Sequence, residues 1–526
     1  MPLQKVLIAG QWRDANHSGE FQAMNPTTRQ PLPEKYPVST WDDCDTCLAA
    51  ATEAATALRS LPAERIAGFL ERFAERCEGR AAELVETANA ETALPKSPRL
   101  ADVELPRTTS QLRQAASAAR EGSWSHATID TQSGIRSLYA ALGPVCVFGP
   151  NNFPFAFGSI SGGDFAAAIA AGNPVIAKAN SSHPGTTRVL AEEAQAAAQE
   201  TEMPPGTVQL LYRLKHDDGR RLVADPRVGA VGYTGSRNAG LNLKAAADAA
   251  GKPIYLELSS INPVVILPGA LEERSQQIAE EFTTSCLMGT GQFCTNPGLV
   301  VVMQGDPSED FVKTVGQRFE EAPVGTLLSE SVQSNLAVSH RELLDGGAEP
   351  VTKSSAPLDD QAIRHPNTLL RVSGSRFLQN PNALQVEAFG NSSLVVVVND
   401  LDQACAVIDQ LEGNLTGCVY SSSTGQDDTA YDRIASHLRQ RVGRLINDKM
   451  PTGVAVSPAM NHGGPFPATG HPGFTAVGIP ASMPRFAMLQ CYDNVRPHRL
   501  PPALQDKNPN GSMWRLIDGT WTQGNI

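Results

Sequence analysis

Two side chains in this sequence have the chemistry for covalent catalysis. Cys294 lies in the segment 288–297, which reads MGTGQFCTNP, and Glu257 lies at the end of the apolar run 253–258. A thiolate is a soft nucleophile, and a carboxylate can activate a water molecule. The glycines before Cys294 leave it open to a substrate and let backbone N–H groups approach a developing oxyanion. The sequence therefore predicts a nucleophile at Cys294 and a water-activating base at Glu257.

Length and composition exclude several classes of protein. A chain of 526 residues exceeds one hydrophobic core, so we expect two large domains. The net charge of −12 and the lack of basic runs argue against nucleic acid and anionic membranes as partners. No segment has the roughly 18 unbroken apolar residues of a membrane span, and the first residues have no signal region. We expect a cytoplasmic protein without a membrane partner.

The nine cysteines are sparse and scattered, which is typical of free thiols. Cys44 and Cys47 form one C-x-x-C pair, but zinc sites of this kind need a second ligand pair at suitable spacing. The sequence offers none, so we expect no metal site.

Short β-like runs alternate with helical runs between residues 145 and 258. This pattern predicts βαβ units and a doubly wound parallel sheet, which binds ligands at the carboxyl ends of its strands. A second alternating region, from about 263 to 445, predicts another α/β domain. The first 120 or so residues are rich in helix, and residues 128–144 read as extended. A strand near 486–491 and then a loosely structured, proline-containing extension complete the chain.

A cofactor site is predicted where strands run into helices, although neither standard glycine-rich phosphate fingerprint is present. Gly235 and Ser236 lie where a strand end enters a helix, whose N-terminus offers N–H groups and a positive dipole to a diphosphate. A simple serine N-cap is the alternative reading of the same residues.

The end of the second strand bears on the choice between NAD and NADP. A carboxylate there would bind the ribose diol of NAD and repel a 2′-phosphate, and residues 178–183 contain none. Ser181 and His183 offer hydrogen bonds there, and Lys178 and Arg213 offer positive charge. This set favours NADP over NAD, although Lys178 could equally be a solvated lysine at a strand end.

These segments, taken in order, resemble the aldehyde dehydrogenase superfamily over nearly the whole chain. The segments that carry the resemblance are GPNNFP at 149–154, VIAK at 175–178, YTGS at 233–236, LEL at 256–258, GQFC at 291–294 and EAFG at 387–390. Finer features at 161–164, 182–186, 451–454 and 462–465 resemble the branch that acts on α-ketoglutaric semialdehyde (2,5-dioxovalerate), near the NADP-preferring fatty-aldehyde enzymes.

The resemblance implies catalytic roles for three residues. Cys294 would be the nucleophile that forms a thioester, and Glu257 the general base that activates water. The side-chain amide of Asn152 would donate to the oxyanion together with the backbone N–H of Cys294. The reaction implied is NAD(P)-dependent oxidation of an aldehyde to a carboxylic acid.

The resemblance also implies how NADP or NAD would be held. Lys178 would contact the adenosine ribose, and Gly235 and Ser236 would lie near the diphosphate. Glu387 would hold the nicotinamide ribose, and Phe389 would pack near the nicotinamide. Ser181 stands where the family often has a ribose-binding glutamate, which favours NADP.

The implied architecture has a cofactor domain, a catalytic domain and a small oligomerisation element. The dinucleotide-binding domain would comprise residues 1–127 and 145–258, and the catalytic domain 259–460. Residues 128–144 and 480–495 would form the oligomerisation element of a homodimer or homotetramer. Residues 496–526 would be a C-terminal extension.

Other readings remain open. Locally, Cys294 could be a small core residue, Asn152 a turn former, and Glu257 the partner of a lysine. Cys286 lies in a helical run and is expected to be buried. The rival functions are a broad or fatty-aldehyde NADP-dependent enzyme, a CoA-acylating enzyme, a cysteine hydrolase and a non-catalytic scaffold of the same fold. Glu257 favours water over CoA, and the hydrolase lacks an evident histidine partner for the cysteine.

Overall fold

The computed structural model describes residues 2–353 and 360–526. Its N-terminal part combines short strands with long helices. The strands are β1 (Val6–Ile8), β2 (Gln11–Arg13), β3 (His17–Phe21), β4 (Met24–Asn25), β5 (Gln30–Pro31) and β6 (Tyr36–Ser39). The helices are α1 (Trp41–Leu58), α2 (Ala63–Gly79), α3 (Ala81–Thr92) and α4 (Leu105–Glu121), with a π-helical segment at Lys96–Glu104. Two strands, β7 (Thr128–Ile129) and β8 (Ile135–Ala141), occupy the predicted extended region.

The first large sheet follows from the predicted βαβ pattern. In chain order its elements are β9 (Val145–Phe148), α5 (Gly163–Ala170), β10 (Val175–Lys178), α6 (Pro184–Glu200), β11 (Val208–Leu211), β12 (Arg213–Leu214), α7 (His216–Ala224), β13 (Ala230–Thr234), α8 (Arg237–Ala249) and β14 (Ile254–Glu257). The strand order is β14-β13-β9-β10-β11-β1-β2. The pairs from β14 to β11 are parallel, and β1 and β2 pair antiparallel. Strand β12 pairs instead with β6 in a three-stranded sheet, β12-β6-β3.

The second large sheet confirms the other predicted α/β region. Its elements are β15 (Val264–Ile266), α9 (Pro268–Leu287), β16 (Leu299–Met303), α10 (Asp306–Glu321), α11 (Glu330–Asp345), β17 (Glu349–Pro350), β18 (Thr368–Ser373), α12 (Gly374–Gln379), α13 (Pro381–Leu384), β19 (Ser392–Val398), α14 (Leu401–Asp409), β20 (Asn414–Tyr420), α15 (Asp428–Arg439) and β21 (Val442–Asn447). The order is β17-β18-β19-β16-β15-β20-β21. The predicted α/β class with a doubly wound parallel sheet is thus confirmed.

The valine-rich strands are explained by burial on both faces of this sheet. Side chains alternate between the faces of a strand, and a parallel sheet is covered by helices on both sides. In β16, Val301 belongs to the core on one face, while Val300 and Val302 belong to the core on the other. Strands covered in this way read as continuous apolar runs rather than alternating ones.

A third sheet corrects the expectation of a loosely structured tail. Strand β22 (Ala487–Asp493) pairs antiparallel with β8, and the order is β22-β8-β7-β23-β24. Its last two strands, β23 (Arg515–Ile517) and β24 (Thr520–Thr522), come from the tail. Arg515 is fully buried there and donates hydrogen bonds to the carbonyls of Gln505, Asp506 and Gly524.

Among the helices of residues 2–353 and 360–526, none combines the length and the apolar character that crossing a bilayer requires.

Candidate active site

The predicted site residues of the first sheet cluster because parallel strands present their carboxyl ends at one edge. Strand β14 ends at Glu257, and β10 ends at Lys178. Strand β13 runs into Gly235 and Ser236. The turn after β9 carries Asn152. Sequence reasoning therefore placed these residues at the correct edge of the sheet.

The glycines before Cys294 have a structural reason that differs from the predicted one. Gly291 has φ +69°, and a Cβ atom built on it would lie 2.0 Å from the carbonyl oxygen of Gly390. Only glycine fits such an approach between two backbones. Gly291 thus lets the cysteine loop pack against the segment that carries Glu387 and Phe389, whereas the prediction gave the glycines two other roles, substrate access and the approach of backbone N–H groups to an oxyanion.

One asparagine ties the cysteine loop to the chain that follows Glu257. The side-chain amide of Asn262 donates to the carbonyls of Cys294 and Asn296, at 2.9 Å each. Its Oδ1 accepts from the hydroxyls of Ser260 and Thr416 at 2.8 and 3.1 Å. Every polar atom of this buried side chain is engaged, so the position of Cys294 relative to Glu257 is fixed by hydrogen bonds.

A histidine that sequence reasoning did not assign completes the centre. Nε2 of His462 lies 3.4 Å from Sγ of Cys294 and 2.9 Å from Oε1 of Glu257. Both His462 and Glu257 are 1 % exposed. The statement that the cysteine lacks a histidine partner is therefore wrong. The available signal was the HGGP segment at 462–465, which carried part of the resemblance but received no role.

Electrostatics keep the resting thiol protonated. Burial, and next to it the negative charge of Glu257, raise the pKa of the Cys294 thiol well above its ordinary value. Thiolate formation therefore needs a hydrogen-bond donor for sulfur and an acceptor for the proton. Nε2 of His462, in the tautomer that carries its hydrogen there, and the carboxylate of Glu257 are placed to meet these two needs.

The second oxygen of Glu257 is available for a water molecule. Oε2 is buried and has no hydrogen-bond partner within the described part of the chain. Buried carboxylate oxygens are normally hydrogen-bonded, so an unpaired one beside a nucleophile is a place where water can be held. The expectation that Glu257 merely pairs with a lysine does not fit, since its partners are His462 and Cys294.

Asn152 lies against the cysteine loop rather than in a simple turn. Its Nδ2 donates to the carbonyl of Gln292 at 2.9 Å, and its own carbonyl accepts from Arg99 at 2.9 Å. The side chain is buried, and the amide group has a second N–H. That second donor can serve an oxygen that develops charge next to Cys294.

Two cations meet at the end of strand β10. Lys178 is half-buried, and burial and the charge of Arg213 lower its pKa to about 8. Arg213 is exposed, with its guanidinium 5.6 Å from the ring of Phe21. Ser181 follows Lys178 on the same half-buried turn. Lys178, Arg213 and Ser181 are thus brought together as predicted for an anionic group.

His183 does not join this group. Its side chain is 1 % exposed, and Nε2 lies 2.8 Å from the carbonyl of Pro150, while Nδ1 faces the hydroxyl of Thr187 at 3.4 Å. The predicted cofactor contact of His183 is therefore corrected. The ring turns inward because it links the start of α6 to the turn after β9.

The start of α8 keeps its donors free. Ser236 precedes the helix, and within the described residues its hydroxyl makes no capping hydrogen bond. The alternative of a simple serine cap is thus not what the structure has. The N–H of Gly235 donates to the carbonyl of Glu257 at 3.1 Å, so the hydroxyl of Ser236 and the N–H groups of the first turn of α8 are what is left for an anion.

A cavity of about 390 Å³ lies beside the start of α8. Its lining includes Arg237, Ser259, Ser260 and Glu387. A smaller cavity shares Ser260 and Glu387 and reaches Phe293 and Phe389 beside the cysteine. Burial raises the pKa of Glu387 to about 7. The predicted residues Glu387 and Phe389 thus lie along one path between the helix start and Cys294.

Within the described residues, one group of side chains has ligand atoms close enough to hold a metal ion. It is Glu257, Cys294 and His462, whose atoms lie within 4.8 Å of one another. Cys44 and Cys47 are buried in the core, as expected for a fortuitous pair.

Comparison with known proteins matches this arrangement to one family. The model of the family described as "Aldehyde dehydrogenase family" matches residues 12–464. α-Ketoglutaric semialdehyde dehydrogenase 2 of Azospirillum brasilense is 38 % identical over 533 residues, which cover 99 % of each chain. α-Ketoglutaric semialdehyde dehydrogenase of Acinetobacter baylyi is 34 % identical, again over 99 % of each chain.

Solved structures share the fold. Lactaldehyde dehydrogenase from Escherichia coli superposes with a TM-score of 0.80 at 20 % identity, covering 94 % of this chain and 99 % of that one. An aldehyde dehydrogenase from Bartonella henselae superposes with a TM-score of 0.79 at 20 % identity, covering 94 % and 100 %.

Proposed function

Because the chain belongs to the aldehyde dehydrogenase family, we propose that it oxidises α-ketoglutaric semialdehyde to 2-oxoglutarate through a thioester on Cys294, with NADP preferred over NAD. The general activity of the family is the NAD(P)-dependent oxidation of aldehydes. The observation that carries the thioester route is the contact of Cys294, His462 and Glu257.

The first step is attack of Sγ of Cys294 on the aldehyde carbon. The thiol proton passes to the carboxylate of Glu257, which hydrogen-bonds the cysteine. The N–H of His462 stabilises the sulfur as it becomes negative. This arrangement offsets the burial that raises the pKa of the thiol, because a charge-assisted hydrogen bond favours the ionised form.

The tetrahedral adduct carries negative charge on oxygen. The free N–H of the Asn152 amide and the backbone N–H of Cys294 would donate to it. A single donor of this kind contributes roughly 3–4 kcal/mol elsewhere. Arg99 holds Asn152 from behind through its carbonyl, so the donor is pre-positioned.

NAD(P), when bound, supplies the acceptor for the hydride that leaves the adduct. The residues that would hold it fit such a group. Lys178 and Arg213 would face the adenosine ribose and its 2′-phosphate, the start of α8 the diphosphate, and Glu387 the nicotinamide ribose. Two observations support this fit. A cavity lies between Arg237 and Glu387, and position 181 holds a serine, so no carboxylate there would repel a 2′-phosphate.

Hydrolysis releases the acid. Glu257, once it has lost the proton it took from the thiol, accepts a proton from a water molecule, and the hydroxide attacks the thioester. The buried and unpaired Oε2 of Glu257 is the position for that water. This argues against the CoA-acylating alternative, in which a thiol replaces water, and against a scaffold without catalysis.

The substrate is proposed from the two full-length relatives at 38 % and 34 % identity. The alternative is a broad or fatty-aldehyde NADP-dependent enzyme. A panel of kcat/KM values with NADP and NAD separates them, using α-ketoglutaric semialdehyde, succinic semialdehyde and medium-chain aldehydes. Preference for medium-chain aldehydes would refute the substrate, and release of acyl-CoA on addition of CoA would refute hydrolysis.

We also propose a homo-oligomer. Strand β22 forms one edge of the third sheet, and Met488 and Leu489 on it are exposed. An edge strand with exposed apolar side chains is suited to pairing with a second copy. Light scattering of the native protein and of a Leu489→Lys variant tests this, since a monomer in the native sample contradicts it.

A further inference from the structure

The guanidinium of Arg107, beside the catalytic centre, forms no ion pair and leaves two of its nitrogens unpaired among the described residues. Arg107 lies in the first turn of α4, and neither its Nε nor its Nη2, both buried, has a hydrogen-bond partner within the described residues. No carboxylate there forms an ion pair with it. A buried cation without a counter-ion is costly, which points to a ligand that completes it.

The neighbouring Arg99 and Arg444 also have an unpaired Nε, but unlike Arg107 they use their Nη groups in hydrogen bonds within the protein. Arg99 donates to Glu104 and to the carbonyl of Asn152. Arg444 donates to the carbonyls of Pro451 and Gly453. The guanidinium groups of Arg99 and Arg444 thus bind other parts of the protein, whereas Nε and Nη2 of Arg107 are left for a ligand.

Aromatic rings connect Arg107 to the reacting atoms. Its guanidinium lies 5.0 Å from the ring of Phe157 and 6.0 Å from that of Phe153. Phe157 packs on His462 at 5.4 Å between ring centroids, and Phe153 packs on Phe293 at 5.3 Å. Phe293 directly precedes Cys294. Two aromatic rings therefore lie between the cation and the nucleophile on each side, Phe157 and His462 on one and Phe153 and Phe293 on the other.

The walls between Arg107 and Cys294 are apolar. Phe153, Phe157 and Phe293 belong to one cluster with Phe474, against which half-buried Val454 packs. Such walls suit methylene groups and exclude water from a charged end group, which strengthens its pairing with a cation.

We propose that Arg107 binds the carboxylate at the far end of the aldehyde substrate and so selects acidic semialdehydes over neutral aldehydes. This rests on the proposed function and names the group that recognises its substrate class. A guanidinium suits this task because its parallel N–H groups match the two oxygens of a carboxylate.

The decisive comparison uses two aldehydes of equal length, succinic semialdehyde and butanal, with wild type and Arg107→Met. The ratio of kcat/KM for the acidic aldehyde to that for the neutral one is expected to fall about 100-fold in the variant. Arg107→Lys should recover part of the ratio, because it restores charge without the fork. Arg113→Met, which removes an exposed arginine of the same helix, is the charge-matched control.

Two outcomes would overturn the proposal. One is an equal loss for both aldehydes in Arg107→Met, which indicates a structural role. The other is a wild-type enzyme without preference for the acidic aldehyde.

A test without turnover separates this proposal from the proposed function. Glutarate should protect wild-type Cys294 from alkylation by iodoacetamide, and uncharged glutaramide should not. Protection that persists unchanged in Arg107→Lys and Arg107→Met, or its absence in wild type, contradicts the role of Arg107. Failure to oxidise any aldehyde, with protection intact, refutes the proposed function alone.

Discussion

Nε2 of His462 lies 3.4 Å from Sγ of Cys294, although 168 residues separate them in the sequence. The same nitrogen lies 2.9 Å from Glu257. A neutral imidazole carries one hydrogen, so if that hydrogen is on Nε2, both neighbours share a single donor. In that tautomer, the N–H that stabilises the thiolate of Cys294 is the same N–H that stabilises the carboxylate of Glu257.

Replacement of Glu257 should separate the two halves of the reaction. Glu257→Gln is expected to give a slowed burst of about one NADPH per site, because an amide cannot take the thiol proton, and then to stall, because it cannot accept the proton of water. Mass spectrometry should find the acyl group on Cys294. Cys294→Ala should show neither burst nor turnover, and Cys286→Ala serves as the control for a nearby buried cysteine. Steady turnover in Glu257→Gln would contradict the assigned base.

Loss of the histidine should be visible in how pH controls alkylation. Since the pKa of the Cys294 thiol is raised, alkylation should quicken as pH rises and more thiolate forms. His462→Ala removes the donor to sulfur, so its alkylation should be about 10-fold slower near neutral pH and approach wild type at alkaline pH. His462→Gln, which keeps an N–H donor, should lie between them. Equal rates in all three proteins at neutral pH would rule out a role for the imidazole in forming the thiolate.

Cofactor choice should depend on the cations at the end of β10. Arg213→Ala is expected to lower kcat/KM for NADP about 10-fold and to affect NAD much less, because only NADP carries the 2′-phosphate. Lys215→Ala removes an exposed cation two residues away and is the matched control. A wild-type preference for NAD, or an equal loss with both cofactors, would show that these residues do not read the phosphate.

Affinity for the cofactor should change around neutral pH. Burial raises the pKa of Glu387 to about 7, so the side chain is an acid below that pH and a carboxylate above it. A carboxylate accepts hydrogen bonds from both ribose hydroxyls better than an acid does. KM for NADP should therefore fall as pH rises through about 7, and Glu387→Gln should flatten the curve. If the KM of the wild-type enzyme for NADP rose with pH, the carboxylate of Glu387 would not be the form that binds the ribose.

The ordered tail should depend on one buried arginine. Arg515→Ala leaves the carbonyls of Gln505 and Gly524 without their side-chain donor and leaves that of Asp506 with the N–H of Ile526 alone, which costs about 3 kcal/mol. Calorimetry should show a lower melting temperature, and fluorescence of the exposed Trp514 and Trp521 nearby should report the local change. Arg499→Ala, at an exposed position, is the control, and equal stability of the two variants would contradict the prediction.

The fold could be predicted because its signals are local. Runs such as residues 394–398 are apolar on both faces of a strand, and the structure has β19 at Ser392–Val398. The N-terminal region was less certain: it is rich in helix as predicted, but strands β1 to β6 come before α1 begins at Trp41. Residues at strand ends, such as Glu257 and Lys178, follow from topology alone.

Contacts between distant segments could not be predicted in this way. His462 belongs to an irregular segment with no periodicity, and only folding brings it to Cys294. His183 was placed at the correct strand end, but the direction of its side chain depends on the carbonyl of Pro150. The prolines after residue 496 indicate an absence of regular structure, whereas the order of the tail comes from the bonds of Arg515.

The chain that carries His462 also runs along the outer edge of strand β14. The N–H of Leu258 donates to the carbonyl of Ala468 at 2.8 Å, and the N–H of Gly470 donates to that of Leu256 at 3.0 Å. The segment that follows His462 is thereby hydrogen-bonded to β14 from Ala468 onward, six residues after the histidine, and the backbone of His462 itself is hydrogen-bonded to Thr475 and Ala476. A residue gained or lost in between would displace the ring against the sheet, so the count of residues in this interval belongs to the catalytic apparatus as much as any side chain does.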